Sequence, residues 1–402
     1  MTRLRLLGLT TALLAVSACA EPVSDAEVEA EIADAQVQAE VTPPASAFDA
    51  LDAFYAHYEY DVPMAPAGPA LPATNAVLTS IAFGSCHSTE EGRDFGILGQ
   101  IASEAHDLFI YTGDNVYGDA RAFDATLPEL RRTYHELSAK PEFQALRAAS
   151  PMLATWDDHD FGMNDIGRDF AFKRFAETLF LDFWGASEND VRRTRPGIYD
   201  SHVYGPEGQR TQIIVLDTRY FRSDLTVTDE RGAVGRERYI PSPDPDQDML
   251  GAAQWGWLED QLQVPADLRL IITSIQVHAD GHGWEAWRQM PMERDRLYRL
   301  IGETGANGVV FVSGDRHSSG LYVRDDVAPY PLYEITSSSL NLSFRDENNE
   351  PGPHRIGDMY APVNYGVINI DWDAGNLAMQ IKSDTGEIVR EQIVDLTEIG
   401  AQ

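Results

Sequence analysis

Short apolar runs alternate with stretches of helical spacing from residue 77 onward, and that alternation fixes the kind of fold this chain can adopt. Residues 77–83, 108–112, 152–155, 212–216, 269–273 and 309–312 have the β-branched and apolar character of buried strands. Residues 96–105, 127–137, 170–183, 254–263 and 291–302 carry apolar side chains at helical spacing. Strands separated by helices imply a largely parallel sheet. After His317 the character turns to strands alone, at 333–336, 365–370, 378–381 and 388–394, which suggests a second sheet packed on the first. Repeats and internal linkers are not evident, so one large domain is expected.

Each early strand runs into residues that bind metals or move protons. The first leads to Gly84-Ser85-Cys86-His87, and the second to Gly113-Asp114-Asn115-Val116-Tyr117. The third leads to Trp156-Asp157-Asp158-His159-Asp160, with Asn164 and Asp165 beyond. The others end at Asp217-Thr218-Arg219, Gln276-Val277-His278 and Ser313-Gly314-Asp315-Arg316-His317. Open α/β sheets bind ligands at the carboxyl ends of their strands, so six such endings belong to one site. Asp114 and Tyr117 are two hard oxygen donors on one short loop, which suits a metal. Taken singly, each motif has a plainer reading. Asp114 serves equally as an Asx turn, His159 as a histidine paired with its neighbouring aspartates, and Asp217 with Arg219 as a structural ion pair. Their coincidence on one sheet edge outweighs those readings.

Charge excludes some partners. The chain carries 31 basic and 64 acidic residues, a formal net charge of −33, which repels nucleic acid and anionic lipid. A phosphate-bearing substrate then needs cations or local arginines to reverse the field at the site. At the N-terminus Arg3 and Arg5 precede an apolar stretch, residues 6–16, too short to span a bilayer. Val16-Ser17-Ala18-Cys19 resembles a bacterial lipobox. We expect residues 1–18 to be a lipoprotein signal peptide and 19–48 an acidic tether, with the folded domain spanning 49–402. A plain secretory signal cut after Ala20 is the alternative. Lipidation at Cys19, followed by Ala20, implies an exported protein anchored in the outer membrane or periplasm of a Gram-negative bacterium. The anchor is then the only expected contact with membrane. With Cys19 acylated, Cys86 has no partner for an intramolecular disulfide and needs another role.

In order, Phe83-Gly84-Ser85-Cys86, Thr112-Gly113-Asp114-Asn115-Val116-Tyr117, Trp156-Asp157-Asp158-His159, Leu216-Asp217-Thr218-Arg219 and Ser313-Gly314-Asp315-Arg316-His317 resemble alkaline phosphatase D (PhoD-like) enzymes, a branch of the calcineurin-like metallophosphatases. The resemblance runs from about residue 81 to 317. It implies an α/β fold in which a two-sheet β-sandwich is flanked by helices, with metals at the strand ends. It also implies a ferric ion on Cys86, Asp114, Tyr117 and His317, and a calcium ion on Asp114, Asp158 and Asp315, with Asn164 as a carbonyl donor. Thiolate and phenolate donors suit ferric iron, and an all-oxygen site suits calcium. The chain departs from some members in having only about 30 residues between tether and first strand, and no twin-arginine pair.

The implied activity is phosphoric ester hydrolysis, by in-line attack of a hydroxide bridging the two metals. His159 or His278 protonates the leaving oxygen, and Arg316 stabilises charge on the phosphoryl group. Alkaline phosphatase and phosphodiesterase activities both fit, so the ester class stays open. The segment 278–287, rich in Gly, His and Trp, reads as a substrate-facing loop. Two rivals remain. One is an acyl hydrolase with Ser85 or Cys86 as nucleophile, although the Gly-x-Ser-x-Gly elbow is missing. The other is a non-catalytic, acidic calcium-binding surface lipoprotein.

Overall fold

The computed structural model describes residues 46–344 and 350–400. The signal peptide, Cys19 and nearly all of the expected tether therefore lie outside the described residues. Contacts divide the chain after Asp52, and both sheets belong to the unit that begins at Ala53.

Two mixed sheets form the centre. The first has six strands in the order β13-β12-β11-β1-β2-β3. Here β1 is Ser80–Gly84, β2 Leu108–Thr112, β3 Met152–Thr155, β11 Asn364–Asp371, β12 Asn376–Ser383 and β13 Ile388–Asp395. The second has seven, in the order β10-β8-β9-β7-β6-β5-β4. Its members are β4 Asp200–Tyr204, β5 Thr211–Val215, β6 Leu268–Ile272, β7 Val309–Ser313, β8 Ser319–Arg324, β9 Leu332–Thr336 and β10 Arg355–Tyr360. β1, β2 and β3 are parallel neighbours, as are β5, β6, β7 and β9.

The expected sandwich is present, but its strands are shared out differently from the sequence reading. The early strands do not make one sheet and the late ones another. β5, β6 and β7 open the second sheet, whereas β11 returns to lie antiparallel against β1, pairing Ile81 with Ile368 and Phe83 with Gly366. Strand pairing is non-local, and runs of similar apolar character do not record which neighbour each one finds. The edge strands β4 and β10, the inner strand β8 and the helix Pro141–Ala149 are further elements that the sequence pattern does not announce.

Alternation along each strand builds three apolar layers. Ile81, Phe83, Leu108 and Ile110 point inward to meet Ile213, Val215, Leu270, Val310 and Val312 of the facing sheet. Ala82, Phe109 and Tyr111 point outward, under Leu98, Tyr134, Phe143 and Phe180 of the helices Gly96–Ser103, Pro128–Ser138, Pro141–Ala149 and Lys173–Phe183. Ile214, Ile271, Val309 and Phe311 pack likewise against Trp255, Leu258, Leu297 and Ile301 of Gly251–Leu262 and Pro291–Thr304. The lead-in wraps the first helical layer: Tyr55 stacks on Phe175 at 4.5 Å and the Ala65 N–H donates to the Phe183 carbonyl at 2.7 Å. Because all the parallel strands end on corresponding edges of the two sheets, their following loops converge on one place.

Candidate functional site

The loops after β1, β2, β6, β7 and β9 are laced together. His87 N–H donates to the Asp114 carbonyl, Gly314 N–H to that of Ser274, and Leu340 N–H to that of Ser85. Gly314 is required here, since a Cβ would sit 2.4 Å from Ser85 Oγ and 3.1 Å from the Thr112 carbonyl. Among the described residues eight non-glycines have positive φ, and Cys86, Asp114, Asp315 and His317 are four of them. L-residues adopt this region reluctantly, so its concentration here marks a site whose side-chain directions the fold enforces.

Those directions bring ligand atoms together. Cys86, Asp114 and His317 present a sulfur, an oxygen and a nitrogen within 4.8 Å of one another. Tyr117 donates to Asp114 Oδ2 at 2.8 Å, and its oxygen lies 3.5 Å from His317 Nε2. Asp114, Asp157, Asp158 and Asp315 form a second group at the same spacing, so Asp114 belongs to both. Asp114 and Asp158 are fully or almost fully buried. Burial, reinforced by the charge of Asp158, pushes the Asp114 carboxyl well above the usual range. Burial and the charges of Asp157 and Asp158 do the same to Asp315. For Asp158 burial acts the same way, but His159 and Arg219 outweigh it and hold the group low. Like charges packed this closely away from water call for a counter-cation. Burial also drives His317 down to about 4, leaving a neutral imidazole whose Nδ1 meets the Leu342 carbonyl at 2.8 Å. A neutral ring anchored at one nitrogen is the form that ligates metal.

His159 sits beside this cluster. Its Nδ1 is 2.9 Å from Asp119 Oδ1 and its Nε2 is 4.0 Å from Asp158 Oδ1. Burial alone would discharge the ring, but Asp158, Asp114 and Asp119 overcome it and raise its pKa. Tyr117, Asp158, His159, Asn164, Asp315, Arg316 and His317 all line one open cavity of about 150 Å³. Asn164 is placed there by its N–H bond to Asp119 Oδ1, at 3.1 Å.

Two sequence readings need correction. His278 does not reach the cavity: Nδ1 is 2.9 Å from Tyr298 Oη and Nε2 is 3.0 Å from the Leu332 carbonyl. Both nitrogens are occupied in the interior, and burial takes its pKa well below the ordinary value. Arg219 pairs with Asp157 and Glu285, not with Asp217. Asp217 instead accepts from Trp156 Nε1 at 2.9 Å and from the Arg219 and Tyr220 N–H groups. Arg316 lines the cavity, but its Nε and Nη2 both face Glu350.

Other residues gain their place in the site from the three-dimensional structure. Asp157 Oδ1 is held by Arg219 and Ser274, while its buried Oδ2 has no hydrogen-bond partner. Ser338 lies 3.1 Å from Cys86 Sγ and accepts from His317 N–H at 2.8 Å, holding two candidate ligands at once. Trp284, Glu285, Arg238, Asp165 and Phe344 complete the cavity wall. Asp157 was within reach of the sequence, being one of several adjacent aspartates.

With this geometry established, comparison with known proteins is direct. The profile of PhoD-like phosphatases matches residues 81–365. The chain belongs to the PhoD-like phosphatase family. Alkaline phosphatase D of Bacillus subtilis (strain 168) is 25% identical over 278 residues, covering 61% of this chain and 47% of that protein. The chain thus spans about half the length of that relative. A structure described as that of PhoD superposes with a TM-score of 0.61 at 18% identity, covering 81% of this chain and 70% of the other. Purple acid phosphatase PPD1 from yellow lupin (Lupinus luteus) seeds gives 0.54 at 13% identity, over 82% and 56%. Both share the two-sheet, helix-flanked fold.

The cluster fits the metals that such a family implies. Asp157 Oδ2 is an orphaned acceptor deep in the protein, and the adjacent carboxylates lack enough cationic partners of their own. The donor types divide as well, with thiol, phenol and imidazole grouped on Asp114 in one set and four carboxylates, His159 beside them, in the other.

Proposed function

We propose that this protein is an exported, metal-dependent phosphoric ester hydrolase of the alkaline phosphatase or phosphodiesterase type. One observation carries the reading: two ligand groups share the buried Asp114, and their members Asp158, Asp315 and His317 line an open cavity. In this reading Cys86, Asp114, Tyr117 and His317 hold a ferric ion. Asp114, Asp158 and Asp315, with Asn164, hold a calcium ion. Asp157 is the further carboxylate at this second position. Such ions supply Lewis acidity at phosphorus and an activated water.

The remaining chemistry falls to the chain. Asp119 fixes the ring of His159 through Nδ1, which leaves Nε2–H facing the cavity beside Asp158. A histidine kept protonated by neighbouring carboxylates is suited to giving its proton to a leaving oxygen. Ser338 and the Leu342 carbonyl orient Cys86 and His317. The acyl-hydrolase alternative finds less support, because Ser85 is buried at 3.7 Å from Cys86 Sγ and His87 Nδ1 turns to the Asn115 carbonyl. For location, we propose lipidation at Cys19 and anchorage by that lipid alone.

The test is metal analysis of the purified protein run beside hydrolysis of 4-nitrophenyl phosphate and bis(4-nitrophenyl) phosphate. Iron and calcium with turnover of either ester support the proposal and select the ester class. A protein without bound metal or turnover contradicts it.

A further inference from the structure

One part of the cavity wall has an unusual charge arrangement. Arg238 and Arg316 line it, and each is already matched by a carboxylate. Arg238 Nη1 lies 2.6 Å from Asp165 Oδ2, and Arg316 Nε donates to Glu350 at 2.9 Å. Tyr239 Oη adds a second donor to Asp165, at 2.7 Å. Between the two arginines lies Trp284, whose ring centroid is 5.0 Å from the Arg238 guanidinium carbon and 5.8 Å from that of Arg316. The wall therefore offers a partly exposed indole framed by two neutralised ion pairs. Such a surface gains little from additional anionic oxygens and more from a flat, uncharged group.

Trp284 is also held in register with the ligand cluster. Its neighbour Glu285 pairs with Arg219, and Arg219 pairs with Asp157. On the other side the Gly283 carbonyl accepts from the Arg238 and Tyr239 N–H groups at 3.0 and 2.7 Å. A Cβ at Gly283 would lie 2.5 Å from the backbone of Arg236 and Glu237, so the close approach of these two loops needs glycine. Gln289 Nε2 fixes the Trp284 carbonyl at 2.8 Å. The indole is thus a braced surface on the wall, and its neighbour Glu285 is tied through two buried ion pairs to Asp157 of the carboxylate cluster.

We propose that Trp284 is a specificity-determining residue that selects substrates whose phosphorus carries an aromatic group, an inference that rests on the phosphoric ester reading. Aromatic stacking on a fixed ring corresponds to a preference of roughly threefold to tenfold.

The experiment measures binding and turnover separately. Calorimetry of the full chain, as purified with its metals, compares phenylphosphonate with methylphosphonate, neither of which can be hydrolysed as an ester. In parallel, kcat and KM are measured by product release for phenyl against methyl esters, as phenyl phosphate beside methyl phosphate and diphenyl phosphate beside dimethyl phosphate. The expected result is tighter binding of the phenyl compound and a lower KM for the phenyl member of an ester pair. Trp284→Ala should collapse both preferences toward unity, while Trp284→Phe retains them. Equal binding of the two phosphonates by the unaltered protein overturns the inference, even if the esters are hydrolysed. A phenyl preference that survives Trp284→Ala overturns it too. A phenyl preference lost in Trp284→Ala, in a protein that hydrolyses none of the esters, upholds the role of Trp284 and rejects the hydrolase reading instead.

Discussion

Asp114 is the residue on which both ligand groups depend. Its backbone adopts φ of 49°, its side chain is fully buried, and it accepts from Tyr117 while Cys86 Sγ stands 3.6 Å away. Asp114→Asn keeps the shape and hydrogen-bonding capacity but removes the shared negative charge. We expect hydrolysis to fall by roughly 10³-fold, reflecting several kcal/mol of metal-dependent charge stabilisation, with little change in the melting temperature. Steady-state kinetics beside thermal denaturation check this, and full retained activity contradicts it. Asp114 was legible in the sequence because a strand that ends in Gly-Asp declares its own local geometry. His278 was misread for the complementary reason. It too follows a strand, but whether a ring faces the cavity or the interior depends on Tyr298 and Leu332, which come from distant segments.

Between elements, the decisive contacts are polar and buried. Arg219 joins the loop after β5 to Asp157 after β3 and to Glu285 beside the cavity wall. Replacing it by Met takes the cation from buried Asp157 and leaves Glu285 with Arg222 alone, and Arg219→Met should cost about 3–5 kcal/mol by urea denaturation. A cost below about 1 kcal/mol would show that the network relaxes freely. Glu177, on the helix Lys173–Phe183, is pushed from 4.5 up to about 8 by burial, with the charge of Asp217 adding to it. Because its folded pKa is raised, its contribution to stability is complete below the unfolded value of 4.5 and is lost as pH rises through about 8. Glu177→Gln should therefore flatten the fall in melting temperature between pH 5 and 9, and an unchanged slope in that scan contradicts the assignment. At this scale the sequence was legible wherever apolar periodicity was strong, as in Leu108–Thr112 and Met152–Thr155. It was silent for Asp200–Tyr204, whose polar Asp-Ser-His run leaves no alternating pattern. The helix Pro141–Ala149 did leave one cue, a proline at its first turn.

For the molecule as a whole, two parallel strand sets deliver their loops to one edge, and a chain of net charge −33 concentrates buried carboxylates there. In the proposed reading, cations complete that arrangement. The order of motifs conveyed the fold and most of the cluster, because each motif is local to a strand end. The sharing of strands between sheets and the composition of the cavity wall were not legible, because both depend on pairings far apart in the chain. The most direct test of the central claim is the rate of bis(4-nitrophenyl) phosphate and 4-nitrophenyl phosphate hydrolysis before chelation, after it, and after iron and calcium are returned. The account predicts hydrolysis that disappears on chelation and recovers with the metals. Hydrolysis that chelation leaves untouched, and that a serine-directed reagent abolishes, would contradict it.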